Sequence, residues 1–109
     1  MRVLRSLEEI SEFTQKNNLC MLYFSSENCS ACKLLKDKVE NLINEYKNIA
    51  LVEVKSEETK GIQSEYGIFT VPIILFFVEG KEAFRSSKYV GIDEIREKLD
   101  RYYELYYKS

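Results

Sequence analysis

Cys29 and Cys32 stand three apart in "SSENCSACK" (residues 25–33), directly after the apolar run "LCMLYF" (19–24). If a helix opens near Cys29, the two residues share one face of its first turn. Their Cα atoms then come within the separation that a disulfide requires. The same turn carries unpaired N–H groups and the positive end of the helix dipole. Both stabilise a thiolate, which is the nucleophile of disulfide exchange. Cys29, nearer the helix end, would attack. Cys32, one turn deeper, would resolve the mixed disulfide, with Ser30 placed to donate a hydrogen bond to the Cys29 thiolate.

Other chemistry is open to such a pair. A zinc site takes about four ligands, and the chain has no His and only Cys20 besides. Two copies could share a metal or an iron–sulfur cluster through paired C-x-x-C motifs. The pair could also be inert on a scaffold used only for binding proteins. No metal and no cofactor beyond the Cys29–Cys32 disulfide is expected.

The flanking elements must place these sulfurs. Val3 and Leu4 suit a short first strand. Ser6 and Glu9 in "SLEE" form a capping box, with Leu7, Ile10 and Phe13 on one face of the helix that follows. "LCMLYF" is apolar throughout, as expected of a strand covered on both sides. Leu35, Val39, Leu42, Ile43 and Tyr46 recur at helical spacing after the cysteines. "IALVEV" (49–54) is a strand, residues 59–66 a weaker helix ended by Gly67, and "PIILFFV" (72–78) a buried strand. "EGK" turns that strand into a hairpin ending near Val90. The last helix carries Ile95, Leu99, Tyr102 and Tyr106 on its buried face, leaving Tyr103 and Tyr107 wet. The order β-α-β-α-β-α-β-β-α predicts an α/β fold with a mainly parallel sheet, helices on both faces and an antiparallel hairpin at one side.

Composition bounds the alternatives. At 109 residues, 45% hydrophobic and 31% charged, the chain reads as one globular domain spanning 1–109. A net charge of −2 offers no basic field for nucleic acid. Val71–Val78, the longest apolar run, is too short to span a bilayer. The first residues lack the apolar core of a signal peptide. The expectation is a cytoplasmic, reducing setting, where a close cysteine pair is catalytic or metal-binding rather than structural. Cys20 reads as a small buried hydrophobe.

These stretches together resemble the thioredoxin family over nearly all 109 residues. "YFSSENCSACK" stands where the family has its active-site loop, usually W-C-G-P-C-K. "YGIFTVPIILFFVEGK" (66–81) is similar to its Y-G-I-x-x-x-P-T-x-x-x-F-x-x-G segment, and Val90–Gly91 matches the pair before its last helix. The resemblance implies a mixed five-stranded sheet in the order 1-3-2-4-5 flanked by four helices, with a cis bond between Val71 and Pro72. It implies a monomeric thiol–disulfide oxidoreductase that reduces protein disulfides, recharged by a thioredoxin-reductase-like or other dithiol electron donor. It also implies a substrate groove bordered by Asn28, Ser30, Ala31, Thr70, Val71, Pro72, Val90 and Gly91.

The departures are specific. Tyr23 aligns with the aspartate that the family buries beneath its cysteines, and Leu51 aligns with that aspartate's lysine partner. A phenol with a pKa near 10 is a poor base at neutral pH, so Tyr23 reads as core packing. Ser25 and Asn28 replace two tryptophans, which implies a smaller, more polar rim. Ala31 replaces the proline between the cysteines. Three extra residues between Gly80 and Gly91 imply a longer or bulged final hairpin.

Overall fold

The computed structural model describes residues 1–87 and 91–108. Along the chain run β1 (Arg2–Leu4), α1 (Leu7–Lys16), β2 (Leu19–Ser25), α2 (Ser30–Ile43), β3 (Ala50–Lys55), a 3-10 turn (Ser56–Glu58), α3 (Ile62–Tyr66), β4 (Ile73–Val78), β5 (Lys81–Ser87) and α4 (Ile92–Lys108). Among the described residues the strands form one sheet in the order β1-β3-β2-β4-β5. β3 pairs parallel with both β1 and β2, whereas β4 runs antiparallel to β2 and β5.

β2 is central, and every residue in it is buried. Its alternation splits the core in two. Cys20, Leu22 and Phe24 face a cluster with Leu4, Ile10 and Phe13, on the side of α1. Leu19, Met21 and Tyr23 face Cys32, Val39, Leu42, Ile95 and Leu99, under α2 and α4. A strand with helices on both faces can afford few polar side chains, which explains the unbroken apolar run.

Local signals account for most boundaries. The Ser6 Oγ accepts the Glu9 amide at 3.1 Å, while the Glu9 carboxylate takes the Arg5 amide at 2.9 Å rather than that of Ser6. Gly67 closes α3 at φ 65°, a left-handed position that glycine adopts without penalty. The third helix is shorter than its spacing suggests, because residues 56–61 spend themselves on a 3-10 turn and a bend. The β4–β5 register slips between Phe76 and Phe77, where Phe76 faces Phe84 and Phe77 faces Glu82. The hairpin is therefore bulged, absorbing Ala83. Strand pairing is described to Ser87, and Val90 lies outside the described residues.

One expectation on α4 fails. Tyr103 is half-buried, its ring edge-on to Tyr46 at 5.3 Å and its hydroxyl donating to the Lys47 carbonyl at 2.9 Å. A phenol combines apolar area with a polar tip, so it seals the α2–α4 seam where a purely apolar ring would stay wet. Tyr107 is exposed.

Candidate functional site

β2 runs into α2 through Ser26–Asn28, and this junction sets the cysteine geometry. Cys29 is the N-cap of α2. Its Sγ accepts the Cys32 backbone amide at 3.1 Å, and its carbonyl accepts the Lys33 amide at 3.3 Å. A sulfur thus takes the capping role that serine or aspartate usually fills. Cys29 and Cys32 form a disulfide with a Cα separation of 5.2 Å, inside the normal range. Cys29 is half-buried, whereas Cys32 is 3% exposed and packs into the core beneath α2.

The loop before β4 carries the second part of the site. The Val71–Pro72 peptide bond is cis. Pro72 is buried, Thr70 exposed, and Val71 half-buried against the same core cluster as Cys29. Asn28 and Ser30 are exposed and Ala31 half-buried around the disulfide. Gly91 is exposed, and its carbonyl accepts the Glu94 and Ile95 amides at the start of α4. Arg85 on β5 steadies the proline loop's approach by donating to the Tyr66 carbonyl at 3.0 Å and the Gly67 carbonyl at 3.3 Å.

Two features escaped the sequence reading. Ser25 is not part of a polar rim: it is 2% exposed, and its hydroxyl donates to the Glu53 carboxylate at 2.6 Å. Glu53, on β3, is itself 3% exposed and ion-paired to Lys36 at 3.3 Å and Lys55 at 3.5 Å. Burial pushes its carboxyl up, but the Ser25 hydrogen bond and the two ammonium groups outweigh that and hold it below the usual range. The signal was present in "ALVEVK", where a single carboxylate interrupts an apolar strand. Beneath the disulfide, the Tyr23 hydroxyl donates to the Cys32 carbonyl. Burial, with the Glu53 charge adding to it, pushes that phenol well above its ordinary value.

The second missed feature is apolar. Leu34 and Phe69 are 75% and 73% exposed, more than any other large hydrophobic side chain among the described residues. Leu34 lies two residues after Cys32, and Phe69 three before Pro72. A cleft of about 230 Å³, lined by Ser26, Ile62, Phe69, Thr70 and Val71 among others, joins the cysteine loop to the proline loop. Leu34 falls off the Leu35–Val39–Leu42 spacing, which could have marked it as outward-facing.

Among the described residues no group of three or more His, Cys, Asp or Glu is placed to hold a metal. No helix among them is long and apolar enough to cross a membrane.

The thioredoxin family profile matches residues 5–102. The chain is 27% identical over 106 residues to a thioredoxin-like protein, YdfQ, of Bacillus subtilis, covering 97% of this chain and 95% of that one. It is 26% identical over 99 residues to thioredoxin of Mycoplasmoides gallisepticum, covering 91% of this chain and 99% of that one. A single-residue variant of thioredoxin from Halobacterium salinarum superposes with a TM-score of 0.82 at 22% identity, over 93% of this chain and 88% of that one. With a C-x-x-C disulfide capping a helix at the end of the central strand, on this sheet order and with this profile match, the chain belongs to the thioredoxin family and is a thiol–disulfide oxidoreductase.

Proposed function

We propose that the protein is a reductase of protein disulfides, acting as a single domain with no cofactor beyond the Cys29–Cys32 pair. The observation that carries this reading is the cap. The Cys32 amide meets Cys29 Sγ in the disulfide, and on reduction that donor and the helix dipole would stabilise the Cys29 thiolate. Cys29 attacks the substrate disulfide, and Cys32 then closes the Cys29–Cys32 bond and frees the reduced product. Thr70, Val71 and Pro72, with Asn28, Ser30, Ala31 and Gly91, border the groove that takes the substrate chain. The exposed Phe69 and Leu34 favour a polypeptide over a small disulfide. A dithiol donor, such as a thioredoxin-reductase-like enzyme, restores the reduced form in a reducing, cytoplasmic setting, and the working unit is a monomer.

A redox titration against dithiothreitol, counting thiols by alkylation and mass, tests the reading. The expected result is one two-electron transition confined to Cys29 and Cys32, near roughly −270 mV. Cys32→Ser should trap a mixed disulfide with a protein substrate, and Cys29→Ser should abolish turnover. A markedly less negative potential would indicate an oxidase or isomerase. No reversible transition, with full biological function in the double serine variant, would make the protein a binding adaptor.

A further inference from the structure

The cleft between the cysteine loop and the proline loop has two unlike walls. Ile62 and Ile68 line one part, 4% and 2% exposed, and the Phe69 side chain stands beside them at 73% exposure. Ser26, Ser56 and Glu57 make the other part polar. At about 230 Å³ the space is smaller than the roughly 300–1,000 Å³ of small-molecule sites. It suits one side chain of a longer chain lying across it.

The polar wall is unfinished in two respects. Glu57 Oε2 accepts the Glu27 amide at 2.6 Å, which fixes the carboxylate at the edge of the cysteine loop. Its charge is nevertheless unmatched: among the described residues no Lys or Arg lines the cleft, and Glu57 forms no ion pair. The cations beside it in sequence and space are engaged elsewhere. Lys55 turns to Glu53 on its own strand, and Arg5 pairs with Glu58. The second gap is the Ser56 hydroxyl, which is shielded from solvent and has no hydrogen-bond partner. Buried polar atoms are seldom left so, and an N–H group arriving at this wall is the partner it lacks.

We propose that this cleft selects polypeptide substrates that carry a lysine or arginine beside the reacting cysteine. The aliphatic stem lies on Ile62, Ile68 and Phe69, and the cationic head meets the Glu57 carboxylate. The inference deepens the reductase reading and rests on it. Lys and Arg join an apolar stem to a charged tip, which is the order of surfaces in the cleft. The Phe69 ring adds an attraction for a cation near its face. A wholly apolar side chain would desolvate Glu57 and leave its charge uncompensated. An acidic one would be repelled by Glu57 and by the exposed Glu27.

The test uses short peptides whose single cysteine forms a mixed disulfide with thionitrobenzoate. Each carries Lys, norleucine or Glu at one position flanking that cysteine and is otherwise uncharged. Release of thionitrobenzoate by the reduced protein gives a second-order rate constant. Division by the rate of dithiothreitol on the same peptide removes the effect of charge on the disulfide itself. At the best position Lys should exceed norleucine by roughly three- to tenfold at low salt, with Glu slowest. Added salt should weaken the advantage. Glu57→Gln keeps an acceptor for the Glu27 amide and should reduce the advantage to within about twofold. Glu57→Lys should turn the preference toward the Glu peptide. Glu65→Gln removes an equal charge from α3 outside the cleft lining and should leave the Lys preference intact.

Equal rates for all three peptides, or a preference for norleucine or Glu, would overturn the assignment of the cleft. So would a Lys advantage that survives Glu57→Gln, or one that Glu65→Gln removes equally. Any of these results leaves the reductase reading standing. A wild-type protein that releases no thionitrobenzoate from any peptide would overturn that reading and this proposal with it.

Discussion

The Tyr23 hydroxyl donates to the carbonyl oxygen of Cys32, tying the middle of β2 to the first turn of α2. Tyr23 is wholly buried, so this bond has no competition from water. Tyr23→Phe removes it while keeping the ring. The expected cost is about 1 kcal/mol, a fall of roughly 4–8 °C in Tm for a domain of this size. Thermal melts of the oxidised and reduced forms would show it, and an unchanged midpoint in both would argue that the bond contributes nothing.

Glu53 should make stability depend on acid. Its folded pKa is depressed, so its contribution is complete above the ordinary glutamate value of about 4.3 and is lost as pH falls through the folded value. Glu53→Gln should therefore cost about 1–3 kcal/mol at pH 7 and progressively less below about pH 4. Urea unfolding at pH 7 and pH 3 measures the difference. A gap that stays constant would mean that the charge is not what holds the site.

Phe69 stands almost fully in solvent beside the proline loop. If a polypeptide covers it, Phe69→Ser should raise KM for a protein disulfide by roughly three- to tenfold, the equivalent of about 1 kcal/mol of apolar burial. Reduction of a small aromatic disulfide should hardly change. Equal effects on both substrates would place Phe69 outside the docking surface.

Cys20 should be silent. It lies wholly inside the core cluster on the α1 side, where burial pushes its thiol up to about 12. Brief alkylation of the reduced, folded protein at pH 7 should label Cys29 first and leave Cys20 untouched until denaturant is added. Early label on Cys20, located by peptide mass, would contradict its burial.

Much of this protein was determined by local pattern. The unbroken apolar run of β2, the helical spacing after Cys32 and the capping residues specify elements through interactions between near neighbours. The C-x-x-C pair at a strand-to-helix junction likewise announces its chemistry within four residues. What only the tertiary structure decided lies between strands distant in sequence. By sequence Ser25 reads as a rim residue, and Glu53 only as one position of the strand at 49–54. The parallel pairing of β2 with β3 sets Tyr23 opposite Glu53 and Ser25 opposite Lys55, and α2 adds Lys36 above them. Tyr103 became a seam residue for the same reason: its partners, Tyr46 and Lys47, lie in the turn after α2. A buried charge is tolerated only where its partners converge. Convergence is a property of register and packing, which spacing along one strand does not record.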